Sequence, residues 1–276
     1  MIHDETQCTL GEGPLWHPKR QELFWFDILG KRLHRNGQHW QFDDYVSAAG
    51  WVDDATLLVA DAAGLFLFDL ETGAREDLVA LEADNPATRS NDGRADPHGG
   101  FWIGTMGIKA EPGAGAIFRY YRGELRQLHA GLTIPNAICF SPDGGHVHFT
   151  DTPTRRILRQ RLSARDGWPE GAPEPWLDLA AEGLNPDGAV IDAAGNFWNA
   201  QWGAGRVACY SPDGGFAGAV EFNVTQTSCP AFGGPDLKTL FCTSAAEGLS
   251  DPDPDDGKTF STPVAATGQQ EHRVIL

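Results

Sequence analysis

Cations are scarce in this 276-residue chain: 21 Lys and Arg face 38 Asp and Glu, leaving a net charge of −17. A polyanion is repelled by such a surface, so a nucleic-acid binder of the basic-patch kind is excluded. Long apolar runs are missing too. The most apolar stretch, Trp51 to Leu70, is broken by Asp53, Asp54, Asp61 and Asp69, far short of the roughly 18 uninterrupted residues that a membrane-spanning helix needs. Paired cysteines are also absent. Cys8, Cys139, Cys209, Cys229 and Cys242 are scattered with no Cys-x-x-Cys spacing, so neither a disulfide framework nor a thiolate zinc site is expected, and each reads as a small core residue. Met1 to Glu5 shows neither the basic nor the apolar segment of a secretory leader, and with the unpaired thiols this makes the cytoplasm the expected location. Finally, no segment sustains a 3.6-residue apolar period over ten or more residues, which argues against a layered α/β fold with crossover helices.

What the chain does have is turn residues and bulky β-formers: 33 Gly and 18 Pro, with 9 Trp and 15 Phe. They fall into a repeat. A strand leads into a turn rich in Pro, Asp and Gly, and a second strand leaves it. Examples are Glu12 to Pro18 before Glu22 to Asp27, Asn91 to Gly100 before Phe101 to Thr105, and Asn136 to Gly145 before His146 to Asp151. Asp187 to Gly195 before Asn196 to Ala200, and Cys229 to Asp236 before Thr239 to Thr243, continue the series, with a weaker copy at Gly50 to Asp61. A third strand follows most of these hairpins, as at Arg32 to Arg35 and Arg206 to Tyr210. Starts recur about every 40 to 50 residues, the length of one four-stranded blade. The expectation is an all-β, six-bladed β-propeller filling residues 1–276 as one domain; a β-sandwich with coincidentally similar turns is the alternative.

The inner strands of a propeller converge on its axis. The leading positions of the six units are Glu12, a small residue around Gly50, Asn91, Asn136, Asp187 and Cys229. Four are oxygen donors. Two carboxylates and two amides suit a hard divalent cation with coordination sites left open, calcium best, then magnesium or manganese, with zinc less favoured. The competing reading is that Asn and Asp simply serve the turns.

Leu10 to Trp16, Arg89 to Gly93 with Phe101 to Met106, Asn136 before Phe140 to Gly144, and Pro186 to Gly188 closely resemble the senescence-marker-protein, gluconolactonase and luciferin-regenerating-enzyme family, from about Thr9 to Gly248. The resemblance implies a six-bladed propeller with one divalent metal on its axis (calcium, or magnesium, manganese, zinc or iron) held by Glu12, Asn136 and Asp187. It implies Asp187 as general base, Arg89 and Asn91 as binders of sugar hydroxyls, and hydrolysis of a small-molecule aldonolactone to the aldonic acid. Such a protein is expected to act as a monomer or weak homo-oligomer, with no nucleic-acid or membrane partner. A phosphotriesterase-like hydrolase on the same metal, or a non-catalytic calcium- or ligand-binding propeller, are the alternative functions. No role is carried onto Glu111 in the short 107–115 loop.

Other motifs are weaker. Gly203-Ala204-Gly205-Arg206 matches part of a dinucleotide fingerprint but reads as a hairpin, since no βαβ unit surrounds it. Asp251 to Gly257 looks like a calcium loop whose glycine falls one place late, and is expected to be a solvated loop. His146 and His148 share a strand face without a third ligand, so packing or surface placement is expected. Trp16, Trp202 and Met106 are loosely placed candidates for the pocket wall.

Overall fold

A computed structural model describes residues 1–276. Six four-stranded antiparallel sheets are arranged as the blades of a propeller. Their inner strands are Gly11–His17, Val46–Trp51, Thr88–Ala95, Pro135–Phe140, Asn185–Ile191 and Gln226–Gly233, in blades 1 to 6. The only helical turn is a 3-10 segment, Thr152–Thr154. No helix is long and apolar enough to cross a membrane.

These strands form for the reasons visible in the sequence. Second strands such as Glu22–Asp27 and Phe101–Gly107 are buried on both faces, and their runs of Phe, Trp and Ile fill the wedges between adjacent blades. Fourth strands are outermost and polar; Arg75–Ala80 and Phe216–Glu221 are mostly exposed, which is why they leave little apolar signature. All five cysteines are buried and free. Gly203 and Gly205 turn a hairpin between Phe197–Trp202 and Arg206–Tyr210, as expected. His148 is buried against Trp176 and Phe197. The Asp251–Gly257 loop departs in part from a simply solvated one: Asp251 to Pro254 are exposed, but Asp256 is buried and accepts the backbone N–H groups of Thr225 and Asp253.

Two closures escape a local reading. Ile2–Asp4 pairs with Thr259–Pro263, so the N-terminus supplies the outer strand of blade 6 and joins the last blade to the first. The C-terminal tail then crosses the ends of the inner strands. Gln269 Nε2 donates to the carbonyls of Phe140 and Ile191, Val274 N–H donates to Trp51, and Ile275 N–H donates to Gly99. Beneath it Glu271 pairs with Arg94, both side chains nearly buried. The axis is therefore shut at the end where the inner strands finish and open where they begin.

Candidate active site and metal centre

At the open end, Glu12, Arg89, Asn91, Asn136 and Asp187 all line one cavity of about 380 Å³. All five are buried, at 3–6% exposure. A β-bulge delivers Glu12, Asn91, Asn136 and Asp187, while Arg89 stands in regular pairing opposite Met106 just before the blade 3 bulge. In blades 1 and 4 the donor is the last paired residue (Glu12 opposite Phe26, Asn136 opposite Thr150), and the next residue, Gly13 or Ala137, turns left-handed at φ 54° or 58°. In blades 3 and 5 the donor is the first residue of the bulge itself, Asn91 after Ser90 and Asp187 after Pro186. The donors thus differ by one place along their strands. In a regular strand such a slip would turn the side chain to the other face; the bulges absorb it.

Two of the six leading positions need correction. Gly50 pairs mid-strand with Leu58, and a Cβ there would meet Val274 of the C-terminal tail at 2.6 Å. The blade 2 residue that does face its neighbours at the open end is Ser47, whose hydroxyl donates to Ser90 Oγ at 2.8 Å. Cys229 does not line the cavity. It presses on the backbone of Gly188, where a Cβ would lie 2.3 Å from Cys229 Sγ, so the glycine after Asp187 is there for close approach between blades.

The amides are fixed by a chain of hydrogen bonds. Arg89 Nη1 donates to Asn91 Oδ1 at 2.9 Å, and Asn91 Nδ2 donates to Asn136 Oδ1 at 2.8 Å and to the Pro135 carbonyl at 3.1 Å. Asn136 Nδ2 donates to Thr152 Oγ1 at 3.0 Å, and Thr152 in turn donates to the Pro186 carbonyl at 2.7 Å. Since the single Thr152 proton is committed to Pro186, its oxygen can only accept from Asn136. Asn136 Oδ1 is thereby turned to the cavity with a lone pair to spare. Asn199, fully buried, donates to the carbonyls of Asp187 and Gly188 and steadies that turn.

The carboxylates have no such partners. Glu12 accepts only the N–H of its neighbour Gly13. Burial, then the negative charge of Asp92, pushes its carboxyl up to about 8, against a smaller opposing pull from Arg89. Asp187 is raised well above its ordinary value by burial, then by Glu12 and Asp92. Asp92 is buried behind them, accepts the N–H of Ile138 at 2.7 Å, and is itself raised to about 6 by burial. Arg89 is pushed down by burial and is opposed chiefly by Glu247 at the cavity mouth. Buried carboxylates that lack a direct ion pair are costly. With Glu12, Asp187 and the free lone pair of Asn136 facing one space, the donor set fits a hard divalent cation.

Met106 and Trp202 line the wall, but Trp16 lies elsewhere, stacked on Phe241 with ring centroids 5.6 Å apart. Lys109 and Glu247 stand on the cavity and gave no sign in the sequence. Glu111 does not line it; its carboxylate accepts the Lys109 N–H and shapes the loop. Asp92 and Thr152 could be found only as neighbours of the Asn-Asp-Gly and Asp-Thr-Pro turns, because nothing local marks a residue that acts on the site through another.

Comparison with known proteins places this geometry in context. Residues 10–246 match the model of the SMP-30/Gluconolactonase/LRE-like region. A calcium-binding protein, regucalcin, from Agrobacterium tumefaciens superposes with a TM-score of 0.97 at 41% identity, covering 100% of this chain and 97% of its own. An L-arabinolactonase of Azospirillum brasilense is 36% identical over 98% of this chain and 93% of its own length. A 6-deoxy-6-sulfogluconolactonase of Pseudomonas putida is 34% identical over 95% and 94%.

Proposed function

The chain belongs to the SMP-30/gluconolactonase/LRE-like family, and from that premise we propose that residues 1–276 act as one domain, a metal-dependent hydrolase that opens sugar lactones to aldonic acids. The observation that carries the reading is the pairing of Glu12 and Asp187, two buried carboxylates that no ion pair neutralises, with the Arg89–Asn91–Asn136 hydrogen-bond chain on one cavity. Glu12, Asn136 and Asp187 would hold the cation, calcium by the donor chemistry and by the calcium-binding relative. When bound, it supplies positive charge where the lactone carbonyl develops an oxyanion.

The rest falls to the chain's own side chains. Asp187 takes the proton of the attacking water at the carboxylate oxygen not turned to the cation. Arg89 and Asn91 orient the sugar. Both Nδ2 protons of Asn91 are used internally, so Asn91 can only accept from a sugar hydroxyl, while Arg89 Nε, buried without a partner, is free to donate. Trp202 and Met106 cover the less polar face of the ring and exclude water. The reduced, buried cysteines suit a cytoplasmic setting, and the substrate is a small neutral molecule.

A pH-stat panel of aldonolactones and one organophosphate, run with calcium, magnesium, manganese and zinc, tests this. Metal-dependent acid release from aldonolactones is the expected result. Turnover of the organophosphate alone, or full activity in a chelated sample, would overturn it.

A further inference from the structure

We infer that Cys8, Asp27 and His34 form a second metal site, separate from the axis and suited to a borderline-soft divalent cation of the zinc class. The three side chains come from different elements. Cys8 lies in the link between the N-terminal strand and blade 1, Asp27 ends the strand Glu22–Asp27, and His34 sits on Arg32–Arg35. The Cys8 Sγ, one Asp27 carboxylate oxygen and one His34 ring nitrogen all lie within 4.8 Å of one another, and the residues are only 1–3% exposed.

An independent feature also points to a ligand. His34 Nε2 is buried and has no hydrogen-bond partner, although its ring is held flat against Trp25, with centroids 5.5 Å apart and planes at 13°. A ring kept in place while its nitrogen is left unbonded is costly as a packing residue and natural as a ligand. Burial pushes the imidazole down to about 4, so it stays neutral with a lone pair to give.

Asp27 is oriented in the way expected of a ligating carboxylate. Its Oδ1 accepts the N–H groups of Leu10 and Gly30, and its Oδ2 accepts only that of Thr9, leaving Oδ2 a free lone pair. Gly30 makes room for that oxygen, since a Cβ there would stand 2.3 Å away. In the metal-free state burial and the nearby Asp27 charge hold the Cys8 thiol protonated. A thiolate, a carboxylate and a neutral imidazole together cancel a 2+ charge, and a sulfur–nitrogen–oxygen set favours zinc over calcium. The axis, lined by oxygens, has the opposite preference. Binding here would tie the N-terminal link to blade 1 at the seam where the ring closes, with loss of the thiol proton to solvent.

The test uses the full chain in an Asp187→Asn background, which weakens the axial site, loaded with cobalt(II) or zinc(II) and desalted. Expected are one zinc per chain by elemental analysis and a thiolate-to-cobalt charge-transfer band in the near ultraviolet. Adding Cys8→Ser should abolish the band, and His34→Gln should weaken zinc binding by about 10- to 100-fold or more. If Cys8→Ser does not fold, the Asp187→Asn protein and its His34→Gln derivative still decide. No charge-transfer band in the former, or a band and zinc content indifferent to His34→Gln, overturns the proposal.

Discussion

Asn91 Nδ2 donates to Asn136 Oδ1 at 2.8 Å, so the residue proposed to greet the sugar and one proposed to hold the metal form a single hydrogen-bonded unit between blades 3 and 4. With those proposed roles, metal and substrate binding would be coupled through an amide pair. Asn91→Ala is expected to raise KM for a lactone and also to raise the calcium Kd by about 10- to 100-fold. Titration of calcium by calorimetry without substrate checks it; an unchanged Kd would make the pair independent.

Asp187→Asn keeps shape and burial but removes the proposed proton acceptor. Turnover at saturating metal should fall about 10²- to 10⁴-fold, the usual contribution of a general base, with an unaltered circular-dichroism spectrum. Arg89→Ala should instead act mainly on KM. Steady-state kinetics on both variants separate base from positioning group.

Thr152→Val leaves the cavity wall nearly isosteric while deleting the oxygen that accepts from Asn136. The amide is then held by the Asn91 hydrogen bond alone, and its orientation is less strictly fixed. The expected outcome is weaker metal binding with kcat restored at high metal, measured as activity against calcium concentration.

His148 supplies a stability signature in acid. Burial lowers its pKa to about 3 from an ordinary value of 6.5, and Arg159 and His146 add to the shift. The unfolded chain protonates first as pH falls. Its contribution is therefore complete above pH 6.5 and is lost progressively toward pH 3, on the order of a few kcal/mol in all. His148→Gln should flatten the fall of Tm with acid in that window. An identical slope in the variant would contradict the assignment.

Removal of Glu271 leaves Arg94 buried without its partner. Glu271→Ala should cost about 3–5 kcal/mol, read as a lowered urea midpoint. A loss below 1 kcal/mol would mean that the tail is not a structural closure.

Much of this was legible beforehand because turns and inner strands carry local chemistry. Glu12 lies between two glycines, Asp187 stands in Pro-Asp-Gly and Asn136 follows a proline at the head of its repeat, and all three reach the cavity. What stayed hidden depends on distant pairing. Ile2–Asp4 meets Thr259–Pro263 across the length of the chain, and a strand of only three residues, Ile-His-Asp, gives no hint of a partner so remote. Gly50 misled because a small residue in a turn-rich region looks like any other; only the register shows it beneath Val274. Cys8, Asp27 and His34 follow no ligand spacing at all, since two of them meet across paired strands of blade 1 and the third comes from the link that leads into it.

The C-terminal tail that crosses the inner-strand ends at Phe140, Ile191 and Trp51 gives the axis the traffic of a blind well. In the proposed hydrolysis reactant and product share one mouth, so each turnover would end with an ion leaving by the route its neutral precursor took. A chain with a net charge of −17 favours that departure, because a carboxylate newly made at the bottom of the well is pushed outward while the next uncharged ring meets no barrier.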